Sequence, residues 1–162
     1  MRILGIDCGS RITGYGVIEA QGRSRQSVGY GAIRIPPNKE LAERLCFVAD
    51  GLDEVLRRFR PHEAAVEDVF ARKNARSAFV LAHVRGAAML SAARAGLRVA
   101  SYTPAQVKSS VVGYGSADKG QVRQMVRALL GVREELSPLD ISDALAVAYC
   151  HANLRDAIGR EA

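Results

Sequence analysis

Four acidic residues of this chain stand where they could share one site. Asp7 ends a short apolar run and is followed by Gly9, the pattern of a buried strand that delivers a carboxylate to its C-terminal end. Glu67 ends a second such run. Asp140 and Asp143 lie three residues apart in a helical stretch, so they share one face of that helix. Burying a carboxylate is costly unless it is paired or holds a metal. We therefore expect these acids to be paired with a cation or to bind a metal ion.

The four acids together predict phosphodiester chemistry on divalent metal ions. If the strands of Asp7 and Glu67 pair in parallel, both carboxylates reach the same edge of the sheet, and a helix packed across that edge adds the other two. Clustered carboxylates raise each other's pKa and are unfavourable without cations. All-oxygen sets suit Mg²⁺ or Mn²⁺, and two ions about 3.5–4 Å apart can activate a water and stabilise the leaving oxygen of a phosphodiester. We therefore expect a nuclease with two Mg²⁺ ions per site, for which Mn²⁺ can substitute.

Two of these acids also have a purely local interpretation. Asp7 could be a turn residue that bonds its own backbone. Ser137-x-x-Asp140 has the spacing of a helix capping box. Neither interpretation explains Asp143, which flanks the apolar stripe of its helix.

The elements that must position the acids follow from apolar periodicity and turn residues. Three successive strands with short links predict an antiparallel meander, and a strand that returns after a helix should lie parallel to the first. The predicted strands span residues 3–7, 13–20, 27–35, 63–69 and 97–103, and the predicted helices span residues 39–60, 74–95, 104–112, 118–130 and 137–158. We expect an α/β fold with a five-stranded mixed sheet flanked by helices. Residues 1–158 should form one domain, and residues 159–162 a short tail.

Composition and charge narrow the class of protein. The chain has 162 residues, of which 48% are hydrophobic, which is enough for one domain with a sizeable core. Its net charge of +6 fits a polyanionic partner such as nucleic acid. Three scattered cysteines predict neither a disulfide framework nor a zinc site. With no signal peptide and no long apolar run, we expect a cytoplasmic protein without membrane contact.

Two basic stretches are candidates for contact with that polyanion. Residues 98–133 hold six basic residues against one acid and enclose a glycine-rich loop, residues 113–117. A charged run is commonly a solvated face, but the loop favours an anion-binding surface. Residues 70–76, shortly after Glu67, add three cations and one aromatic residue, and no acid. The candidate backbone contacts in these two stretches include Arg72, Lys73, Arg76, Lys108, Lys119 and Arg123.

The helix predicted over residues 74–95 is rich in alanine, glycine and serine. Small side chains let another element approach closely. This helix either packs only on the sheet of its own domain, or it also meets a partner subunit on one side.

Segments along nearly the whole chain resemble the bacterial RuvC Holliday-junction resolvases, and the order of elements resembles the ribonuclease H-like fold. The segments are GIDCGSRITGYGV at 5–17, EDVF at 67–70 with KNA at 73–75, QVK at 106–108, VVGYGSADK at 111–119 and DISDALA at 140–146.

This resemblance implies a structure-selective endonuclease that resolves four-way DNA junctions by paired cuts in opposed strands, during recombination and DNA repair. The four acids named above would be its metal-binding catalytic residues. Phe70 would stack on a base where the strands exchange, and Lys108 and Lys119 would lie near the scissile phosphate. The resemblance further implies a homodimer that works with a branch-migration motor of the RuvA and RuvB type.

The chain departs from this family at two positions beside the acids. Cys8 stands where the family usually has proline, and Asp68 stands where it often has glutamine. Asp68 could tune metal binding or DNA contact, or it could simply be solvated, which is the interpretation we favour from the sequence.

Two alternative functions are consistent with parts of the pattern. A non-catalytic junction-binding module would keep the fold but should lack some of the acids. Gly5-x-Asp7-x-Gly9 also resembles the first phosphate loop of the sugar-kinase and actin ATPase group. That group needs two such domains and a second glycine-rich phosphate loop, and the sequence contains neither.

Overall fold

The sheet that carries the predicted acids has the expected strands in the expected order. The computed structural model describes residues 1–68 and 75–158. The strands are β1 Arg2–Asp7, β2 Ile12–Gln21, β3 Ser24–Arg34, β4 Glu63–Glu67 and β5 Arg98–Tyr102. The helices are α1 Leu41–Phe59, α2 Ala75–Arg94, α3 Pro104–Val112, α4 Lys119–Leu130 and α5 Leu139–Ile158. The predicted tail, residues 159–162, lies outside the described residues.

The strand order is β3-β2-β1-β4-β5, with an antiparallel half and a parallel half. β1 pairs antiparallel with β2, which pairs antiparallel with β3, so the predicted meander is confirmed. β4 lies parallel to β1 on its other side, and β5 lies parallel to β4. The carboxyl ends of β1 and β4 therefore meet at one edge of the sheet.

Several element boundaries differ from the sequence prediction by a few residues. β3 begins at Ser24 rather than at 27, because backbone pairing of Ser24 with Gln21 continues the ladder to the hairpin turn. β4 ends at Glu67 rather than at 69, so this acid is the last residue of its strand. α5 begins at Leu139 rather than at 137.

Helices cover both faces of the sheet and form two apolar cores. α1 and α2 pack on one face, where Leu4, Ile6 and Val84 belong to one buried cluster. α5 covers the other face, and its Leu145 lies in a second cluster with Ile18. No helix in the described part of the chain is long and apolar enough to cross a membrane.

Two glycines allow α5 to lie directly on the sheet. A Cβ at Gly5 would overlap the carbonyl oxygen of Ala144, and a Cβ at Gly14 would overlap that of Asp140. Since helix and strand backbones touch here, the first turn of α5 is held at the edge of the sheet where β1 ends. The closeness of this packing sets the position of Asp140.

Replacing Gly14 with alanine should displace the start of α5. Overpacking of this kind typically costs about 1–3 kcal/mol, and here the clash is with backbone, which has little room to yield. Chemical denaturation should therefore show a loss of that size. Gly115→Ala is the matched control, since its Cβ would lie 3.5 Å from Ala105, an ordinary contact. Equal stability of the two variants would contradict this account of the helix position.

Candidate active site

Asp7 and Glu67 end adjacent parallel strands on the same face of the sheet. The register pairs Ile6 with Val66, so the next residue on each strand is the acid. Side chains alternate between faces along a strand, and Gly5, two residues before Asp7, faces α5. Asp7 therefore points to the α5 face, and Glu67 lies beside it.

α5 brings the other two acids to this edge. Asp140 is in the first turn of α5, and Asp143 follows one turn later on the same side. Both line an open cleft of about 430 Å³ together with Asp7 and Glu67. The structure thus brings all four predicted acids to one cleft, although up to 136 positions separate them in sequence (143 − 7).

Burial and mutual repulsion strongly perturb Asp7. Burial raises the pKa of Asp7, and the charges of Asp143, Glu67 and Asp140 raise it further, to about 8 from its ordinary 3.8. Lys119 acts in the opposite direction. The cleft therefore disfavours a full set of ionised carboxylates unless a cation joins them.

Asp143 has a cationic neighbour. Burial raises its pKa and the charge of Asp140 adds to the rise, whereas Lys119 and Arg123 oppose it. The Nζ of Lys119 lies 3.5 Å from Oδ2 of Asp143, a long ion pair in which the lysine is 70% exposed. Such an exposed pair is weak, so Lys119 is free to exchange the carboxylate for another anion.

The donor set in the cleft fits a hard divalent cation. Its four acids offer oxygen donors only, the set that Mg²⁺ and Mn²⁺ prefer. In the described residues, however, no three side chains of the types that ligate metals have converged into a ready-made site. The sequence correctly predicts the shared cleft, and coordination remains a prediction.

Cys8 lies in the wall of the cleft as a neutral thiol. Burial raises its pKa to about 12, with a further contribution from Asp7. The free thiol therefore stays protonated at neutral pH, and Cys8 packs against the apolar cluster of α1 and α2. Nothing in the structure explains why cysteine stands here rather than proline.

Three of the predicted DNA contacts, Lys119, Arg123 and Arg76, lie in or near the cleft. Lys119 lines it, and Arg123 is near enough to act on Asp143. Arg76 lines a neighbouring groove with Lys39 and Arg44. Lys108 is half-buried on α3 and is not part of the described cleft wall. Phe70, Arg72 and Lys73 lie outside the described residues.

Sequence reasoning missed Arg11, an exposed cation in the cleft wall beside Ser10. Its loop is held from α1, where the guanidinium of Arg44 donates to the carbonyl oxygen of Ser10. The only available signal was its place in the segment after Gly9, because a loop residue has no periodicity to reveal which way it faces.

The interpretation of Asp68 as a solvated residue is incomplete, because its side chain is 38% exposed but also has a partner. Its Oδ1 accepts a hydrogen bond of 2.7 Å from Nη2 of Arg85 on α2. Glu67 lines the cleft, whereas Asp68 pairs with Arg85 on α2 instead.

Comparison with known sequences gives a consistent result. A profile of the family described as crossover junction endodeoxyribonuclease RuvC matches residues 3–151. A protein of that name from Geobacter metallireducens is 54% identical over 153 residues, which are 94% of this chain and 93% of the relative. Another from Halorhodospira halophila is 50% identical over 96% of this chain and 92% of its own length.

Comparison with solved structures agrees. RuvC of Thermus thermophilus is 34% identical, with a TM-score of 0.87 over 98% of this chain and 97% of that chain. The same protein in complex with a Holliday junction substrate gives a TM-score of 0.90 over 98% and 96%. The yeast mitochondrial resolvase Ydc2, at 13% identity and a TM-score of 0.65, covers 98% of this chain and 82% of its own, and it shares the fold alone. These matches confirm the predicted fold class.

Proposed function

The chain belongs to the RuvC family of crossover junction endodeoxyribonucleases, with the ribonuclease H-like fold, and we propose that Asp7, Glu67, Asp140 and Asp143 perform its cleavage chemistry. As a member of this family it is an endonuclease that resolves Holliday junctions. The observation that carries the residue assignment is the single cleft that all four acids line. The paired cuts would serve recombination and DNA repair in the cytoplasm.

The four acids would hold divalent ions against the scissile phosphate. Mg²⁺ is the ion we propose, two per site, with Mn²⁺ able to substitute. When bound, such ions supply an activated water and stabilise the leaving oxygen. Asp7 and Glu67 are fixed by two strands and the other acids by α5, so the sheet and the helix orient the ligands from opposite sides of the cleft.

The cations around the cleft would hold the phosphate backbone. Lys119 stands in the wall of the cleft and would pair with the scissile phosphate once ions occupy the acids. Arg123 and Arg76 flank the cleft. Lys108 would contact the same DNA strand as Lys119. The candidate contacts in the stretch after Glu67 would reach the exchange point, with Phe70 stacked on a base and Arg72 and Lys73 on phosphates.

The test of this function is cleavage of a synthetic four-way junction with Mg²⁺. We expect paired cuts in opposed strands, and much slower cutting of a linear duplex of the same sequence. An ATP-hydrolysis assay under the same conditions should be negative. Equal cutting of the linear duplex would contradict junction selectivity, and binding without cutting would favour a non-catalytic module.

The rival functions considered from the sequence are disfavoured. A non-catalytic module should have lost some of the acids, whereas all four line the cleft. The family match over residues 3–151 argues against the alternative of a sugar-kinase or actin-like ATPase domain.

We further propose that the chain acts as a homodimer through α2. A four-way junction has approximate two-fold symmetry, so a two-fold dimer can place two clefts on opposed strands. α2 exposes large apolar side chains, with Phe79 66% and Leu90 59% exposed. A groove between α1 and α2 is lined by Leu90, Gly86 and Ala49, among others, and a second helix could lie in it. A branch-migration motor of the RuvA and RuvB type would be the larger partner.

Leu90→Arg should convert the dimer to a monomer. A charged side chain in the middle of this apolar face would be left desolvated and unpaired. Sedimentation or light scattering should show half the wild-type mass, and paired cutting should be lost. Val28→Arg is the control, because Val28 is 41% exposed on the edge strand β3, away from α2. A dimeric Leu90→Arg variant would overturn the assignment of this face.

Lys119→Met should weaken junction binding and flatten its dependence on salt. One fewer phosphate contact reduces the slope of log K against log salt by about 1. The measurement is junction affinity, in the absence of divalent metal, across a series of salt concentrations. Arg57→Met, at an exposed position in the last turn of α1, should keep the wild-type slope. An unchanged slope in Lys119→Met would remove Lys119 from the phosphate contacts.

A further inference from the structure

Arg85 of α2 holds the point where β4 leaves the sheet. Its Nε donates to the carbonyl oxygen of Glu67 at 3.1 Å, and its Nη2 donates to Oδ1 of Asp68 at 2.7 Å. The same Nη2 donates to Oγ of Ser101 on β5 at 2.6 Å. We call this set the Arg85 clamp: Arg85 with the Glu67 carbonyl, Asp68 and Ser101.

The clamp acts on the residue that the proposed site needs most firmly placed. Glu67 is the last residue of β4 and is paired with Tyr102 of β5, whereas the register of β4 with β1 ends one residue earlier, at Val66. The backbone N–H of Asp68 donates to the Tyr102 carbonyl at 2.8 Å, which pins one side of this exit. Arg85 pins the other side through the carbonyl of Glu67 itself.

Fixing that carbonyl fixes the direction of the glutamate side chain. The carbonyl orientation sets the peptide plane that follows Glu67, and with it the point from which the side chain departs. Asp68 points away from the cleft toward Arg85, so by strand alternation Glu67 is held toward the cleft. Asp68 thereby contributes to the site without lining it.

The clamp requires a guanidinium rather than any cation. Arg85 reaches a carbonyl, a carboxylate and a hydroxyl through a rigid planar fork with several donors. It is also largely enclosed, with 20% of its side chain exposed. Lysine at this position would offer one flexible nitrogen and could not make all three bonds with the same geometry.

From these contacts we infer that Arg85 is a positioning residue for the metal site, acting through the Glu67 backbone, with Asp68 as its anchor. The inference rests on the proposed function, because it takes Glu67 as a metal ligand. Removing a residue that orients a metal-binding side chain typically weakens metal affinity by about 10- to 100-fold.

The test measures Mn²⁺ binding to the protein without DNA, by electron paramagnetic resonance of the free ion. Arg85→Met should weaken binding by about 10- to 100-fold, Arg85→Lys by less, and Asp68→Asn by the least, since its amide oxygen still accepts a bond. Raising the Mg²⁺ concentration should restore much of the junction cleavage by Arg85→Lys. Because bound metal also stabilises the folded state, melting temperatures measured in chelator separate this effect from a general loss of stability.

Arg2→Met is the matched control for loss of an arginine that bonds the backbone. Arg2 donates to the Phe59 carbonyl at 2.9 Å and to Glu19 at 3.0 Å. It begins β1, at the end of the strand opposite Asp7. The Arg2→Met variant should have a lower melting temperature, and its Mn²⁺ affinity should stay within about twofold of wild type. That change is well below the loss expected on removing a residue that orients a metal ligand. If Arg85→Met also keeps its Mn²⁺ affinity within about twofold of wild type, the inference is overturned.

Asp7→Asn separates failure of the inference from failure of the proposed function. If wild type binds Mn²⁺ and Asp7→Asn does not, the metal site stands, and the Arg85 variants alone decide the inference. If Asp7→Asn binds Mn²⁺ as wild type does, the metal-site assignment fails, and the positioning role of Arg85 fails with it.

Discussion

Replacing Asp7 with asparagine should reduce metal-dependent junction cleavage by at least about 10³-fold while junction binding persists. Asparagine keeps the size of the side chain and removes the charge. The ions of such sites stabilise the transition state by several kcal/mol, and each 1.36 kcal/mol is a tenfold change in rate. Binding should persist because it depends on the cations around the cleft, which the substitution leaves in place.

The measurement is single-turnover cleavage of a synthetic junction with Mg²⁺, beside a binding titration in its absence. Asp50→Asn is the matched control, since Asp50 is an exposed acid on α1 outside the cleft wall. It should cut at the wild-type rate. Cleavage by Asp7→Asn near that rate would remove Asp7 from the catalytic residues, and loss of both binding and cleavage would point to a damaged fold.

The common cleft of the acids was predictable because each acid follows from a local rule. Asp7 and Glu67 end apolar runs, and the right-handed crossover between parallel strands brings such ends together. Asp140 and Asp143 share a face through helical spacing alone. These rules concern burial and chain direction, so they give the edge of the sheet at which the acids meet.

What the sequence did not reveal depends on contacts between distant elements. Asp68 pairs with Arg85, 17 residues away on a different element, and no periodicity in either segment indicates that pairing. Arg11 enters the cleft from a loop, where the facing of a side chain is set by backbone dihedrals. The early end of β4 at Glu67 is likewise set by pairing with β1 and β5, whereas the sequence predicts a strand that runs to residue 69.

The metal-free protein should lose stability as the pH rises from about 4 to about 8. Burial first, and then the charges of Asp143, Glu67 and Asp140, raise the pKa of Asp7 to about 8 in the folded chain, whereas its ordinary value is 3.8. Between these values the folded state keeps a proton that the unfolded state has released, so folding is favoured at low pH and the advantage is lost as the pH approaches 8. The decline should reach up to roughly 1 kcal/mol per pH unit.

Asp7→Asn should remove most of this decline, because the amide resembles the protonated acid at every pH. At pH 8 in chelator the variant should therefore be more stable than wild type by urea denaturation, and Asp50→Asn should retain the wild-type slope. Mg²⁺ should restore stability to wild type by mass action and do little for Asp7→Asn. If the metal-free Asp7→Asn variant is clearly less stable than wild type at pH 8, the carboxylate stabilises the fold without a bound cation, and this prediction is wrong.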